Sequence, residues 1–227
     1  MKRVNIAIDG PSGAGKSTLA KAIAAQLSIH YVDTGAIYRT VGYAVRKAGI
    51  SPDDAEGVAA LLPRISLQVK FEKGVQNMYL DGENLGERIR EHVISDYASR
   101  VSAIPVVREF LLDTQRNVAR RYSTVMDGRD IGTVILPRAD VKIFLSASAE
   151  NRARRRQLEL EARGETCDYA QILADIRERD QRDSTRAIAP LKPAEDAVLL
   201  DNSDIGIAET VDAALAIIFE KRPDLKS

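Results

Sequence analysis

Apolar residues gather in short runs at Val4 to Ile8, Tyr31 to Asp33, Thr124 to Asp127, Val141 to Leu145 and Ala197 to Leu200. Runs this short and this continuous predict strands covered on both faces. Helical spacing lies between them: in Thr18 to Leu27, Leu19, Ala22, Ile23 and Leu27 share a face, and Thr210 to Phe219 repeats the pattern near the end. Strands alternating with helices predict an α/β fold, a parallel five-stranded sheet flanked by helices.

Two stretches break that rhythm. Between Pro63 and Ile94, Ile65, Leu67, Val69 and Phe71 alternate with polar residues, Lys73-Gly74 signals a turn, Val75 to Leu80 follows, and Asp81-Gly82 signals another. Alternation bounded by such dipeptides predicts a small antiparallel β region inserted into the α/β frame. From Glu150 to about Ala189 the chain is charged, helical and rich in arginine, with a break at Gly164. Such a run ordinarily marks a solvated helix surface.

The segment after the first strand changes the meaning of that arginine. Residues 10–18, Gly10, Pro11, Ser12, Gly13, Ala14, Gly15, Lys16, Ser17 and Thr18, fit G-x-x-x-x-G-K-[ST] between an apolar strand and an apolar-periodic helix. The glycines let the backbone curl so that successive N–H groups face phosphate oxygens. Lys16 reaches the β/γ-phosphates, the Ser17 hydroxyl suits Mg²⁺, and the helix start adds its positive end. An arginine-rich helical hairpin beside a phosphate cradle is suited to close over phosphates, exclude water and neutralise charge.

Composition narrows the partners. The 227 residues are 44% hydrophobic and 29% charged, enough for a sizeable core, and 33 basic residues offset 33 acidic ones. No global field attracts nucleic acid or an anionic membrane. The single cysteine, Cys167, excludes an internal disulfide and a cysteine metal cage, and no signal segment or long apolar span occurs; the expected compartment is the cytoplasm. His30 and His92 are far apart in sequence and are read as structural.

Four motifs in order, Gly10 to Thr18, Asp33-Thr34-Gly35-Ala36-Ile37-Tyr38-Arg39, Asp127-Gly128-Arg129-Asp130-Ile131-Gly132-Thr133 and Arg179-Asp180-Gln181-Arg182-Asp183-Ser184-Thr185-Arg186, resemble the bacterial cytidylate kinases over nearly the whole chain. The resemblance implies transfer of the γ-phosphoryl of MgATP to CMP or dCMP; a monomer is expected, and the balanced charge predicts no nucleic-acid or membrane partner. It divides the chain into a core (1–38, 104–149 and 190–227), a nucleoside monophosphate-binding region with the β insertion (39–103) and a lid (150–189).

The same resemblance assigns residues 10–18 to ATP. Thr34, Gly35, Tyr38 and Arg39 go to the acceptor, with Arg39 on its phosphate; serine is frequent in the family at Thr34 and methionine at Ile37, exchanges that keep the hydroxyl and the apolar character. Arg129 is implied to bind acceptor phosphate and Asp130 to accept from the exocyclic amine of cytosine, with Ser99 and Arg108 completing base recognition. Arg179 and Asp183, four apart on one helical face, go to sugar and phosphate, and Arg186 to the monophosphate side. Lys16, Arg39, Arg129 and Arg179 form the catalytic set. Arg152, Arg154 and Arg155 are candidates for the triphosphate, with Arg154 assigned to the ATP set; successive residues lie about 100° apart on a helix, so at least one faces solvent. Asp127, at a strand end, is the Walker-B-like carboxylate, placed to hold a water of the Mg²⁺ shell or to cap the following turn.

Other readings predict other signatures. A different small phosphate-loop kinase, for another base or for shikimate, has no need of the β insertion and of Asp127 to Thr133. A GTP-dependent switch calls for an N-K-x-D element, which does not occur, and a nucleic-acid-binding ATPase is suggested only by Arg154-Arg155-Arg156, without a basic balance or interleaved aromatics.

Overall fold

The structure is a computed structural model, and residues 3–226 are described. In chain order it runs β1 (Asn5–Asp9), α1 (Lys16–Gln26), β2 (His30–Asp33), α2 (Thr34–Lys47) and α3 (Ala55–Leu61). Next come β3 (Leu67–Glu72), β4 (Val75–Leu80), β5 (Glu83–Asn84), α4 (His92–Val101) and α5 (Pro105–Arg121). The rest is β6 (Thr124–Gly128), β7 (Val141–Ser146), α6 (Ala149–Glu161), α7 (Tyr169–Thr185), β8 (Val198–Asp201) and α8 (Ile207–Lys221).

A five-stranded parallel sheet has the order β2-β6-β1-β7-β8, and a three-stranded antiparallel sheet has the order β3-β4-β5. β1 pairs with β7 so that Ile6 lies opposite Val141 and Asp9 opposite Phe144. Ile6, Ala7 and Ile8 are all buried, as a central strand covered on both faces requires. The five core strands fall within one residue of the runs read from the sequence.

By contact the chain forms two compact units, residues 1–29 with 125–227, and residues 30–124. β2 and α5 cluster with the inserted region, because β2 touches β4 and α5 packs on α2, α3 and β3.

In the first unit, α1 packs on α8 and on β1, and α6 and α7 form a helical hairpin. The buried face of α1 is Leu19, Ala20, Ile23 and Ala24 rather than the expected set with Ala22 and Leu27. Leu27 is already the C-cap, outside the helix, which leaves the apolar stripe one position rotated. Gly164, at φ +74, lies between α6 and α7 where the hairpin turns.

In the second unit, Ile37, Val41 and Val45 of α2 and Ile94, Ala98 and Val101 of α4 are buried where the two helices pack. They approach closely at Gly42, where a Cβ would lie 2.9 Å from the Ala98 backbone nitrogen. The hairpin turns at Lys73-Gly74 and Asp81-Gly82 place both central residues at positive φ, the type I′ geometry that matches strand twist. Among the described residues, no helix is long and apolar enough to cross a membrane.

Candidate active site

β1 delivers the chain to the phosphate loop at Asp9. Gly10 follows with φ +150, and a Cβ there would run into the Leu145 carbonyl oxygen of β7, so the loop leaves the sheet where only glycine fits. Gly15, left-handed at φ +89, is the N-cap of α1, and the first turn of that helix carries no acidic residue. The positive end of α1, uncompensated by a carboxylate in its own first turn, therefore adjoins the loop. The side-chain amide of Asn202, at the end of β8, donates to the Ala14 carbonyl at 3.0 Å and fixes the loop from the far side.

Lys16 is buried, and its ammonium donates to the Pro11 carbonyl at 2.6 Å. Burial, with the neighbouring Arg129 and Arg179, pulls its pKa down to about 7 against the opposing pull of Asp127 and Asp9. Charges from the segment after β6 and from the hairpin helix α7 thus act on the ammonium of the phosphate loop. Next to it, the Ser17 hydroxyl donates to Asp127, buried in β6, at 3.0 Å.

Asp9, which the sequence reading passed over, is the anchor of the segment after β6. Its two carboxylate oxygens accept the Ile131 and Gly132 N–H groups, each at 2.7 Å. These are the first residues of a π-helical turn, Ile131–Ile135, a form that recurs at functional sites. Burial raises the Asp9 pKa to about 6; the two backbone N–H groups and Lys16 oppose the rise, and Asp130 adds to it.

Arg129, Arg152 and Arg186 are each paired with a carboxylate. Arg129 donates to Asp183 at 2.8 Å, and Arg186 lies 3.6 Å from Asp130, with both side chains of that pair buried. Burial pushes the Asp183 carboxyl up, but Arg129, Arg179 and Arg186 more than offset it and hold its pKa below the ordinary value. Of the three candidates on α6, Arg152 contacts the phosphate loop: it donates to the Ser12 carbonyl at 3.1 Å, to the Ala147 carbonyl at 2.9 Å, and with both terminal nitrogens to Asp180 of α7. Arg155 binds the Asn202 side-chain and backbone oxygens. Arg154 is exposed and stands over the Tyr169 ring at 5.9 Å.

The second unit carries the other group of sequence-nominated residues. Asp33 N-caps α2 by accepting the Ala36 N–H at 2.8 Å, and its other oxygen accepts from Arg39 at 2.7 Å. The guanidinium lies over Gly35, where a Cβ would come within 3.0 Å of it. Arg39 Nε is buried with no protein acceptor, an orphaned donor of the kind an anionic ligand satisfies. Thr34 is buried beside it in sequence at the start of α2. Ser99 and Arg108 are both buried, not surface residues of their helices: Arg108 sits 5.5 Å from the Tyr38 ring and donates to the Ser102 carbonyl, and the Ser102 hydroxyl donates to the Ser99 carbonyl.

Asp9, Asp180 and Asn202 are the residues of this architecture that sequence reasoning missed. Asp9 carried a signal, since it ends the apolar strand directly before Gly10. Asp180 and Asn202 carried none, because their partners are 28 and 188 residues away.

Fold and loop define the class: an α/β phosphotransferase built around a phosphate-binding loop. The sequence profile described as Cytidylate kinase matches residues 6–220. A cytidylate kinase of Caldicellulosiruptor bescii is 48% identical over 220 residues, covering 97% of each chain, and one of Actinobacillus succinogenes is 44% identical over 223 residues, covering 95% of this chain and 98% of its own. A solved structure of an uncharacterised protein from Eubacterium ventriosum shares the fold at TM-score 0.53 and 13% identity, covering 95% of this chain and 98% of that one. This chain belongs to the cytidylate kinase family.

Proposed function

We propose that the chain performs its family's reaction, phosphorylation of CMP or dCMP by ATP, by electrostatic positioning alone. The carrying observation is the phosphate loop itself, with Lys16 buried in it and Ser17 bonded to the strand-end Asp127, while the charges of Arg129 and Arg179 act on the same ammonium. An acceptor phosphate, with a second pKa of about 6, is already largely anionic at neutral pH, so no side chain has to remove a proton. An acceptor oxygen bonds to the γ-phosphorus, the bond from that phosphorus to the β-bridging oxygen breaks, and ADP departs with the electron pair. What opposes the reaction is repulsion between two polyanions, and what the protein supplies is fixed positive charge.

Residues 10–18 cradle the triphosphate, with Lys16 on its β/γ end. Arg129 and Arg179 stabilise charge on the transferred group, and Arg39 grips the acceptor phosphate. Each guanidinium has five N–H donors, so the carboxylate that holds Arg39 or Arg129 fixes the side chain without exhausting it. The α6–α7 hairpin serves as the lid, and its arginines keep water from the phosphoryl group. Arg154, on the exposed face of α6, is proposed for the ATP set only as a lid residue.

The adjacent Ser17 hydroxyl and Asp127 carboxylate are hard oxygen donors suited to Mg²⁺, with Asp127 acting through a water. Bound there with ATP, Mg²⁺ would neutralise phosphate charge. Ser17 would be the direct protein ligand and Asp127 would hold a bound water, so the rest of the shell would be left to phosphate and water, the usual habit of Mg²⁺.

For the acceptor we assign Thr34, Gly35, Tyr38, Ser99, Arg108, Asp130, Asp183 and Arg186. Asp130 accepts from the cytosine amine, a group uracil lacks, and a wrong base offers that carboxylate no donor. Asp130→Asn replaces an acceptor by an amide that can also donate. The CMP/UMP ratio of kcat/KM is expected to fall at least tenfold; a ratio equal to wild type in the folded variant removes Asp130 from base recognition.

A further inference from the structure

Gln76 of β4 reaches out of the antiparallel sheet to the backbone of Asp33. Its side-chain oxygen accepts the Asp33 N–H at 2.8 Å, and its side-chain nitrogen donates to the Asp33 carbonyl at 3.1 Å. The amide therefore pairs with one residue's main chain at both ends, as a neighbouring strand would. The orientation is dictated by chemistry, since the flipped amide would set donor against donor and acceptor against acceptor. The nitrogen also contacts the Met78 sulfur at 3.2 Å, which holds the side chain from its own strand.

The residue gripped is the one that arranges the start of α2. One Asp33 carboxylate oxygen caps the helix at Ala36, and the other holds Arg39. A peptide that turned by a few tens of degrees would move both oxygens, because the carboxylate is only two bonds from the backbone. The hydroxyl of Tyr79 and the ammonium of Lys70 are engaged on the sheet itself, with Glu72 and with the Tyr79 ring.

We propose that Gln76 is a positioning residue for the acceptor phosphate: it locks the Asp33 peptide, Asp33 fixes the Arg39 guanidinium, and the β insertion thereby acts on phosphate binding from outside the site. This rests on the assignment of Arg39 to the acceptor phosphate. Gln76 touches no substrate and acts only through Asp33.

The test is steady-state kinetics on Gln76→Met, which keeps length and flexibility but lacks the amide, alone and combined with Arg39→Ala. The KM for CMP is expected to rise at least fivefold while the KM for ATP stays within twofold of wild type. In the Arg39→Ala background the same change should cost less than twofold, because the group being positioned is gone. A merely structural role would raise both KM values together or multiply with Arg39→Ala, and either result overturns the proposal. If Gln76→Met does not fold, Gln76→Glu, which retains the acceptor but not the donor, is read by the same criteria. Arg39→Ala with a raised CMP KM and a silent Gln76→Met overturns the positioning role alone; an Arg39→Ala that leaves the CMP KM unchanged overturns the Arg39 assignment and this proposal with it.

Discussion

Asp180 receives both terminal nitrogens of Arg152, at 3.0 and 2.6 Å, and so joins the two helices of the arginine-rich hairpin. Arg152 is only 4% exposed, and two further N–H donors go to the carbonyls of Ser12 and Ala147. One guanidinium thus binds the phosphate loop, the start of α6 and α7 into a single piece.

Removing it leaves a carboxylate and two carbonyls without their donor. Arg152→Ala is expected to lower stability by about 3 kcal/mol, the lower end for breaking a buried pair because Asp180 is partly exposed. Arg152→Lys should recover less than half of that, since an ammonium cannot bind a carboxylate bidentately. Urea denaturation measures both; an Arg152→Ala variant as stable as wild type would show that the hairpin is held by other contacts.

Lys16 gives a prediction about protons. With its pKa pulled down to about 7 in the empty protein, most Lys16 is neutral at pH 8. Phosphate oxygens favour the ammonium and raise that pKa, so binding of an ATP analogue at pH 8 should take up as much as about one proton. The direction also makes binding weaken as pH rises through 7. Calorimetry in buffers of different ionisation enthalpy reads the uptake directly. Lys16→Arg, always protonated, should abolish it, and a binding enthalpy independent of buffer in the wild type would contradict a depressed Lys16.

Asp9 couples pH to stability in the opposite sense to a carboxylate that folding pairs with a cation. Its folded pKa of about 6 lies above the ordinary 3.8, so the folded state binds this proton more tightly than the unfolded chain. The group's contribution to stability is therefore fullest below about pH 4 and is lost as pH rises through 6, by on the order of 3 kcal/mol. Asp9→Asn has no such titration. The stability of wild type minus that of Asp9→Asn should fall between pH 4 and 6 and be flat above 7; a flat difference throughout means Asp9 is charged across the range.

How much of this was readable in the residues follows from how local each cause is. The strands and the phosphate loop rest on runs of three to nine consecutive residues, and β1, β6 and the Gly10 to Thr18 segment stand where their patterns put them. The β insertion was legible for the same reason, its two positive-φ turns being written as Lys73-Gly74 and Asp81-Gly82. Arg152 was not separable from Arg154 and Arg155, because which of three near neighbours turns inward depends on Ser12 and on Asp180, 140 and 28 residues away. Asp9 was hidden for a different reason: a strand-end aspartate looks the same whether it faces water or accepts two N–H groups from a turn 122 residues later. Gln76 likewise carries no motif, since a lone glutamine on an exposed-looking hairpin acquires its meaning only from the peptide it meets.

The most direct test of the whole account is ADP formation from MgATP with CMP, dCMP, UMP, AMP and GMP offered separately as acceptors. The account predicts rapid turnover with CMP and dCMP and turnover at least tenfold lower in kcat/KM with the others. Equal turnover with a purine nucleotide, or ADP release that no acceptor accelerates, would contradict it.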